Sequence, residues 1–299
     1  MDAEVSTLSE SLVDELVTAV GLPKIAFWHN LFWRLFRGLT NRFAALGVTF
    51  DRLMASDGLP KASQYALTHF CNPILVSGTE HIPLTGPLLV VSNHPGAYDV
   101  LIIFSKLVRK DIHWISSEIP FLDKLPHLRP HIHFASRTNT LSRMAAMRGA
   151  IRHLQSGGAL IYIGAGHRDP DPATYPDAGK MIDNWLEGID FFFKHVPGLK
   201  MLPCVVSGVV SPKWARHPIT WLRRQQIDKQ RLSEFGQVIT QLLRPGKFMA
   251  SPSISFGPPA AAGNLRRESR GDSLLTAVIA REKNLLVEHC RTYGGDPGL

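Results

Sequence analysis

Pro87-Leu88-Leu89-Val90-Val91-Ser92-Asn93-His94-Pro95-Gly96-Ala97-Tyr98-Asp99-Val100-Leu101 changes character twice along its length. Leu88–Val91 is a short apolar run and reads as a buried strand. Ser92–Gly96 ends it, because Pro95 lacks an N–H and Gly96 favours a turn. Asp99 then heads a second apolar run, Val100–Phe104, that reads as a helix. Strand, tight turn and helix in succession form the repeating unit of an α/β sheet, which holds ligands outside the carboxyl ends of its strands. His94 is therefore expected at a ligand-binding edge. Asp99 falls in or near the first helical turn, where the helix dipole favours a carboxylate. A carboxylate that reaches one imidazole nitrogen sets the tautomer and raises the basicity of the other, so the pair can serve as a general base for a hydroxyl. The spacing alone is a weak signal. The preceding strand, the adjacent Asn93 and the Pro95-Gly96 turn give it a context.

The same alternation extends on both sides. Strands are expected at Pro73–Val76, Leu88–Ser92, Ile112–Ser116, Ile132–Ala135, Ala159–Gly164, Leu202–Ser207 and Ser253–Phe256. Helices are expected at Tyr98–Leu107, Leu141–Leu154, Met181–Phe193 and, capped by Asp272 or Ser273, at Ser273–Cys290. The fold class is α/β: a largely parallel central sheet flanked by helices, with an N-terminal amphipathic helical extension. In that extension Thr7-Leu8-Ser9-Glu10 reads as a capping box opening a helix that ends near Gly21-Leu22-Pro23. A second helix is expected from about Lys24 to Leu46, with Ile25, Trp28, Leu31, Phe32, Leu35, Phe36, Leu39, Phe43 and Leu46 on one stripe and Arg34, Arg37 and Arg42 off its centre. Such a stripe fits either packing on the core or an interfacial helix on a membrane. The expected organisation is a helical, membrane-interface segment at 1–65, a catalytic α/β domain at 66–265 and a C-terminal helix at 266–299.

The 299 residues suit one large α/β domain with extensions or two small domains, and 44% hydrophobic content indicates a globular chain. A net charge of +8 points to an anionic partner. Lys213–Lys247 is the most basic stretch; it fits a solvated helix face or a contact with an anionic surface. The three cysteines are scattered, which argues for a reducing compartment. The acidic N-terminus is unlike a signal peptide, and no apolar run has the length of a membrane span.

Other chemistries are poorly supported. Gly164-Ala165-Gly166-His167-Arg168-Asp169 has the start of a dinucleotide fingerprint, but Asp169 replaces its last glycine and Pro170 and Pro172 preclude the helix that would hold a pyrophosphate. His131 and His133, with His127 nearby, lack the carboxylate or thiol that would complete a metal site, so no metal is expected. No serine-hydrolase elbow is present. The basic residues accompany no recognisable nucleic-acid module. Arg137 and Arg168 each follow a strand and, in a parallel sheet, would share the edge with His94. Two guanidiniums beside a base suggest a phosphorylated acceptor.

Asn93-His94-Pro95-Gly96-Ala97-Tyr98-Asp99 matches the N-H-x-x-x-x-D motif of the glycerolipid acyltransferases, the family containing 1-acyl-glycerol-3-phosphate acyltransferase, and roughly residues 73–260 resemble that family. The segment Val76–Pro83 with Gly86-Pro87, the strand end Phe134-Ala135-Ser136-Arg137, Leu202-Pro203-Cys204-Val205-Val206 and Ser255–Pro259 are similar to its other signatures. Ile163-Gly164-Ala165-Gly166-His167-Arg168 departs from the usual F-P-E-G-T-R: Gly166 and Arg168 are kept, and Ala165 stands at the acidic position. The resemblance implies direct acyl transfer from acyl-CoA or acyl-carrier protein, as co-substrate, to the hydroxyl of a lysophospholipid or related lipid. His94 and Asp99 are the expected catalytic pair, and Asn93, Arg137, Gly166 and Arg168 the expected substrate-binding residues. No metal or organic cofactor is required. The expected location is peripheral, on the cytoplasmic face of a membrane. The alternatives are a non-catalytic lipid-binding protein on the same fold, a transferase acting on a non-glycerolipid acceptor, and a hydrolase.

Overall fold

The computed structural model describes the chain except residues 1–2, 20–22, 24, 137 and 186–187. Its strands are β1 (Leu75–Ser77), β2 (Leu88–Ser92), β3 (Ile112–Ser116), β4 (Ile132–Phe134), β5 (Ala159–Ile163), β6 (Lys200–Ser207), β7 (Ser253–Phe256) and β8 (Ala260–Ala261). Its helices are α1 (Ala3–Ala19), α2 (Ala26–Asp57), α3 (Leu59–Leu67), α4 (Asp99–Lys106), α5 (Pro120–Asp123), α6 (Thr140–Gln155), α7 (Ala178–Ile182), α8 (Gly188–His195), α9 (Pro212–Ala215), α10 (Gln226–Leu243), α11 (Ala262–Glu268) and α12 (Leu274–Tyr293). The sheet runs β1-β7-β6-β2-β5-β3-β4, with β8 beside β6. From β6 to β4 the strands are parallel. β7 and β8 pair antiparallel with β6, so the expected strand Ser253–Phe256 is present but reversed.

β2 is central and every one of its residues is buried. Its period of two sends Leu88 and Val90 to one apolar layer and Leu89 and Val91 to the other. The first layer is closed by α2, α3 and α4 through Val48, Phe50, Met54, Leu59, Ile102 and Ile103. The second is closed by α6, α8 and α12 through Ala150, Leu154, Ile189, Phe192, Val278 and Leu286. Each large side chain among them contributes about 1.5–3 kcal/mol on burial, so the two layers dominate stability.

The N-terminal helices depart most from expectation. α1 begins at Ala3, so Thr7–Glu10 lies inside the helix, and Ser9 donates to Thr40 Oγ1 (2.7 Å) instead of capping. α2 runs on to Asp57, past the expected end at Leu46, because Ala44, Val48, Phe50 and Met54 extend a stripe that packs on the sheet. Leu8 of α1 joins the same layer, so α1 and α2 share a core with the α/β domain. The first three turns of α2 present apolar side chains outward: Phe27, Leu31 and Leu35 are exposed, as is Ile25 just before the helix. The single helix expected at Met181–Phe193 is two, α7 and α8. Among the described residues no helix is long and apolar enough to cross a membrane.

Candidate active site

The carboxyl end of β2 delivers Asn93 and His94 to the edge of the sheet, and Pro95–Tyr98 turns the chain into α4. Asp99 at the start of α4 is 1% exposed. Its Oδ2 lies 2.7 Å from His94 Nδ1 and accepts from Gly96 N–H at 3.2 Å. A carboxylate only accepts, so Nδ1 carries the proton and Nε2 presents a lone pair. Among the described residues Nε2 makes no hydrogen bond, and the His94 side chain is one-quarter exposed. A buried carboxylate thus stands behind an accessible imidazole nitrogen.

The turn around His94 is held from both sides. Asp169, in the segment after β5, accepts the His94 backbone N–H at Oδ2 (2.8 Å), and its own N–H donates to the His94 carbonyl (2.9 Å). Burial pushes the Asp169 carboxyl up to about 6. Asn93 is 4% exposed, and both functions of its carboxamide are spent on Val206 of β6: Nδ2 donates to the carbonyl and Oδ1 accepts the N–H, each at 2.9 Å. Expected among the substrate-binding residues, Asn93 instead clamps the end of β2 to β6.

Gly166 lies in the turn after β5 with φ of +64°, a conformation that side chains resist. Ala165 is 2% exposed and packs in the second apolar layer. Arg168 does reach that edge. It is not free: its Nη1 pairs with Oε2 of Glu234 on α10, a carboxylate that is 5% exposed. Arg137 lies outside the described residues.

α10 supplies what sequence reasoning missed. Gln230, Ser233, Glu234, Gln237 and Gln241 are buried on one face of it. Gln230 Nε2 donates to the carbonyls of Pro95 (2.5 Å) and Asp169 (2.9 Å), and Gln237 bonds Val209 and Ser211. A Cβ on Gly96 would fall 2.8 Å from Val209 and 3.4 Å from the Glu234 carboxylate, so only glycine lets the His94 turn seat beneath this helix. The available signal was the run of polar residues at helical spacing, which reads as a solvated face when only charge is weighed.

The histidines considered for a metal separate. His127 bonds buried Asp51 on α2 (2.7 Å), while His131 and His133 gather with His113 and His153. His113 and His153 stack face to face, and His113 Nδ1 lies 3.1 Å from His133 Nε2. Among the described residues no group of three or more His, Cys, Asp or Glu is arranged to hold a metal ion. Two open clefts of about 430 and 450 Å³ lie away from His94, one along α12 and one between α2, α3 and α10.

No protein-family model and no curated protein matches the chain. Among solved structures it is similar to the 1-acyl-sn-glycerophosphate (LPA) acyltransferase PlsC from Thermotoga maritima, with a TM-score of 0.43 and 16% identity over 97% of this chain and 98% of that one.

Proposed function

We propose that the protein is an acyltransferase that moves a fatty acyl group from an acyl thioester to a hydroxyl of a lipid acceptor. One observation carries the reading: the N-H-x-x-x-x-D motif folds into a contact of 2.7 Å between His94 Nδ1 and a fully buried Asp99, with Nε2 left for a substrate proton. In the proposed step Nε2 takes the proton of the acceptor hydroxyl as its oxygen attacks the thioester carbonyl. The tetrahedral adduct then expels the thiolate, and the imidazolium returns the proton to the leaving sulfur. Asp99 holds the ring and stabilises the imidazolium. Acyl-CoA or acyl-carrier protein would serve as donor. Peripheral attachment to a membrane through the exposed apolar half of α2 would bring the enzyme to its acceptor.

A second reading of the acceptor rests on Arg168. Its ion pair with Glu234 leaves less charge for a phosphate, which favours an acceptor without a phosphate monoester over lysophosphatidic acid. Labelled acyl-CoA with a panel of lysolipids and phosphate-free lipid alcohols tests both readings. His94→Ala is expected to cost about 10²–10⁴-fold in turnover, and Asp99→Asn a comparable loss. Near-normal turnover by purified His94→Ala would sink the mechanism.

A further inference from the structure

The segment between β6 and α10 has no part in the chemistry above, yet it leaves the sheet beside His94. β6 is parallel to β2 and pairs with it directly, so both carboxyl ends open on the same edge. A Cβ on Gly96 of the His94 turn would touch Val209, two residues past β6. From there the chain forms α9 and a 3-10 turn, Pro218–Leu222, before entering α10.

The base of this projection is fastened. Buried Asp171 accepts the N–H groups of Gly208 (2.8 Å) and Val210 (2.9 Å), and Gln237 of α10 accepts that of Ser211 (2.9 Å). Trp214 lies so close against Gly236 of α10 that a Cβ there would enter its ring, and it stacks on His217 at 4.7 Å. Thr220 is 2% exposed. The tip is the opposite: Trp221 and Leu222 are each 78% exposed, with Ile219 beside them at 38%. A fastened base that holds two large apolar side chains out in water is not a loop without a preferred shape.

The charge around the tip names the partner. From Ser211 to Ile227 the sequence contains Lys213, Arg216, Arg223 and Arg224 and no Asp or Glu. Arg216, Arg223 and Arg224 are exposed. The next acid along the chain, Asp228, lies 3.8 Å from Arg231. An indole and a leucine flanked by arginines match the interfacial zone of an anionic bilayer: the apolar groups enter the acyl boundary and the guanidiniums meet lipid phosphates. We propose that Arg216–Arg224 is a membrane-docking tip for anionic lipid, separate from α2, that presses the His94 edge to the surface holding the acceptor. Its opposite end is tied as well, because Arg42 of α2 donates to the carbonyls of Leu242 and Leu243 at the end of α10. One helix thus joins the tip, the His94 turn and α2.

The inference shares the membrane location of the proposed function but does not depend on turnover. Sedimentation of the full chain with vesicles of phosphatidylcholine alone, or containing phosphatidylglycerol, reads it directly. Trp221→Ala/Leu222→Ala and Arg223→Glu/Arg224→Glu change only exposed residues, and circular dichroism verifies their folding. The wild type is expected to favour anionic vesicles, with binding that weakens in salt. Each double variant is expected to lose about tenfold or more in partitioning to anionic vesicles. Binding by both variants equal to wild type would overturn the proposal and leave α2 as the anchor. A wild-type dimer that becomes monomeric in Trp221→Ala/Leu222→Ala with unchanged vesicle binding would overturn it in favour of an interface between copies. Vesicle binding that both double variants lose, with no acyl transfer to any acceptor, would uphold the tip and count against the enzyme.

Discussion

Three single residues around His94 and the sheet answer three different questions. Glu234 answers what Arg168 meets at the edge of the sheet. Its carboxylate is buried against the guanidinium, so Glu234→Ala leaves Arg168 with an uncompensated charge. A loss of about 3 kcal/mol in chemical denaturation is expected. Asn93 answers how the turn is held, since removing its carboxamide orphans a backbone N–H and a carbonyl of β6. His289 reports acid stability. It lies between the hydroxyls of Ser207 and Ser255, 2.7 Å from each, and burial lowers its pKa to about 4. A histidine whose pKa is lower in the folded state binds its proton less tightly there than when unfolded. Its contribution is therefore intact above about pH 6.5 and is lost as pH falls toward 4. Asp169, raised to about 6, acts in the opposite direction over the range from about 6 down to 4. Thermal melts of His289→Gln across pH 7 to 4 are expected to show a shallower decline than those of wild type.

At the scale of the element, α10 inverts the usual amphipathic rule. It buries glutamines and a glutamate and leaves Phe235 and Leu243 exposed, 46% and 56% respectively. The buried amides are tolerable because they find partners: Gln241 donates to the carbonyls of Phe70 and Phe248 and accepts from Tyr98. The face thus acts as a row of backbone clamps for the segments that surround His94. Gln237→Leu, close in volume, orphans the Val209 carbonyl and the Ser211 N–H and is expected to cost about 2–3 kcal/mol, measured by urea titration. A Gln237→Leu variant as stable as wild type would show that the clamps carry no weight.

At the scale of the whole molecule, the N-terminal helices are divided between two duties. The second half of α2, with Leu8 of α1, belongs to the layer that covers the sheet, and Phe43 packs on Phe121 at 5.0 Å between ring centroids. The start of α2 carries exposed Phe27, Leu31 and Leu35 beside exposed Arg34 and Arg37. Deleting residues 1–46 would therefore remove core as well as the exposed part of α2, and is expected to yield a destabilised protein that aggregates. Phe27→Ser/Leu35→Ser keeps the core; it is expected to leave the melting temperature within a few degrees of wild type while reducing sedimentation with membranes. A large drop in melting temperature in that variant would show that the exposed stripe is packed in solution.

By itself the sequence determined the α/β class, the central strand Leu88–Ser92 and the pairing of His94 with Asp99, because all three are local: an apolar run, a turn that Pro95 and Gly96 impose, and a carboxylate five residues on. It also placed Arg168 at the right edge, since a parallel sheet aligns the ends of its strands. Only the tertiary structure decided what those groups meet. The Arg168–Glu234 pair joins residues from β5's exit and α10, Asn93 is spent on β6, and β7 reverses against β6 although its own residues read as an ordinary strand. Side-chain periodicity records which face of an element is apolar. It does not record which backbone groups another element will bring to a polar face, and on α10 that missing information separates a solvated surface from the buried frame of the site.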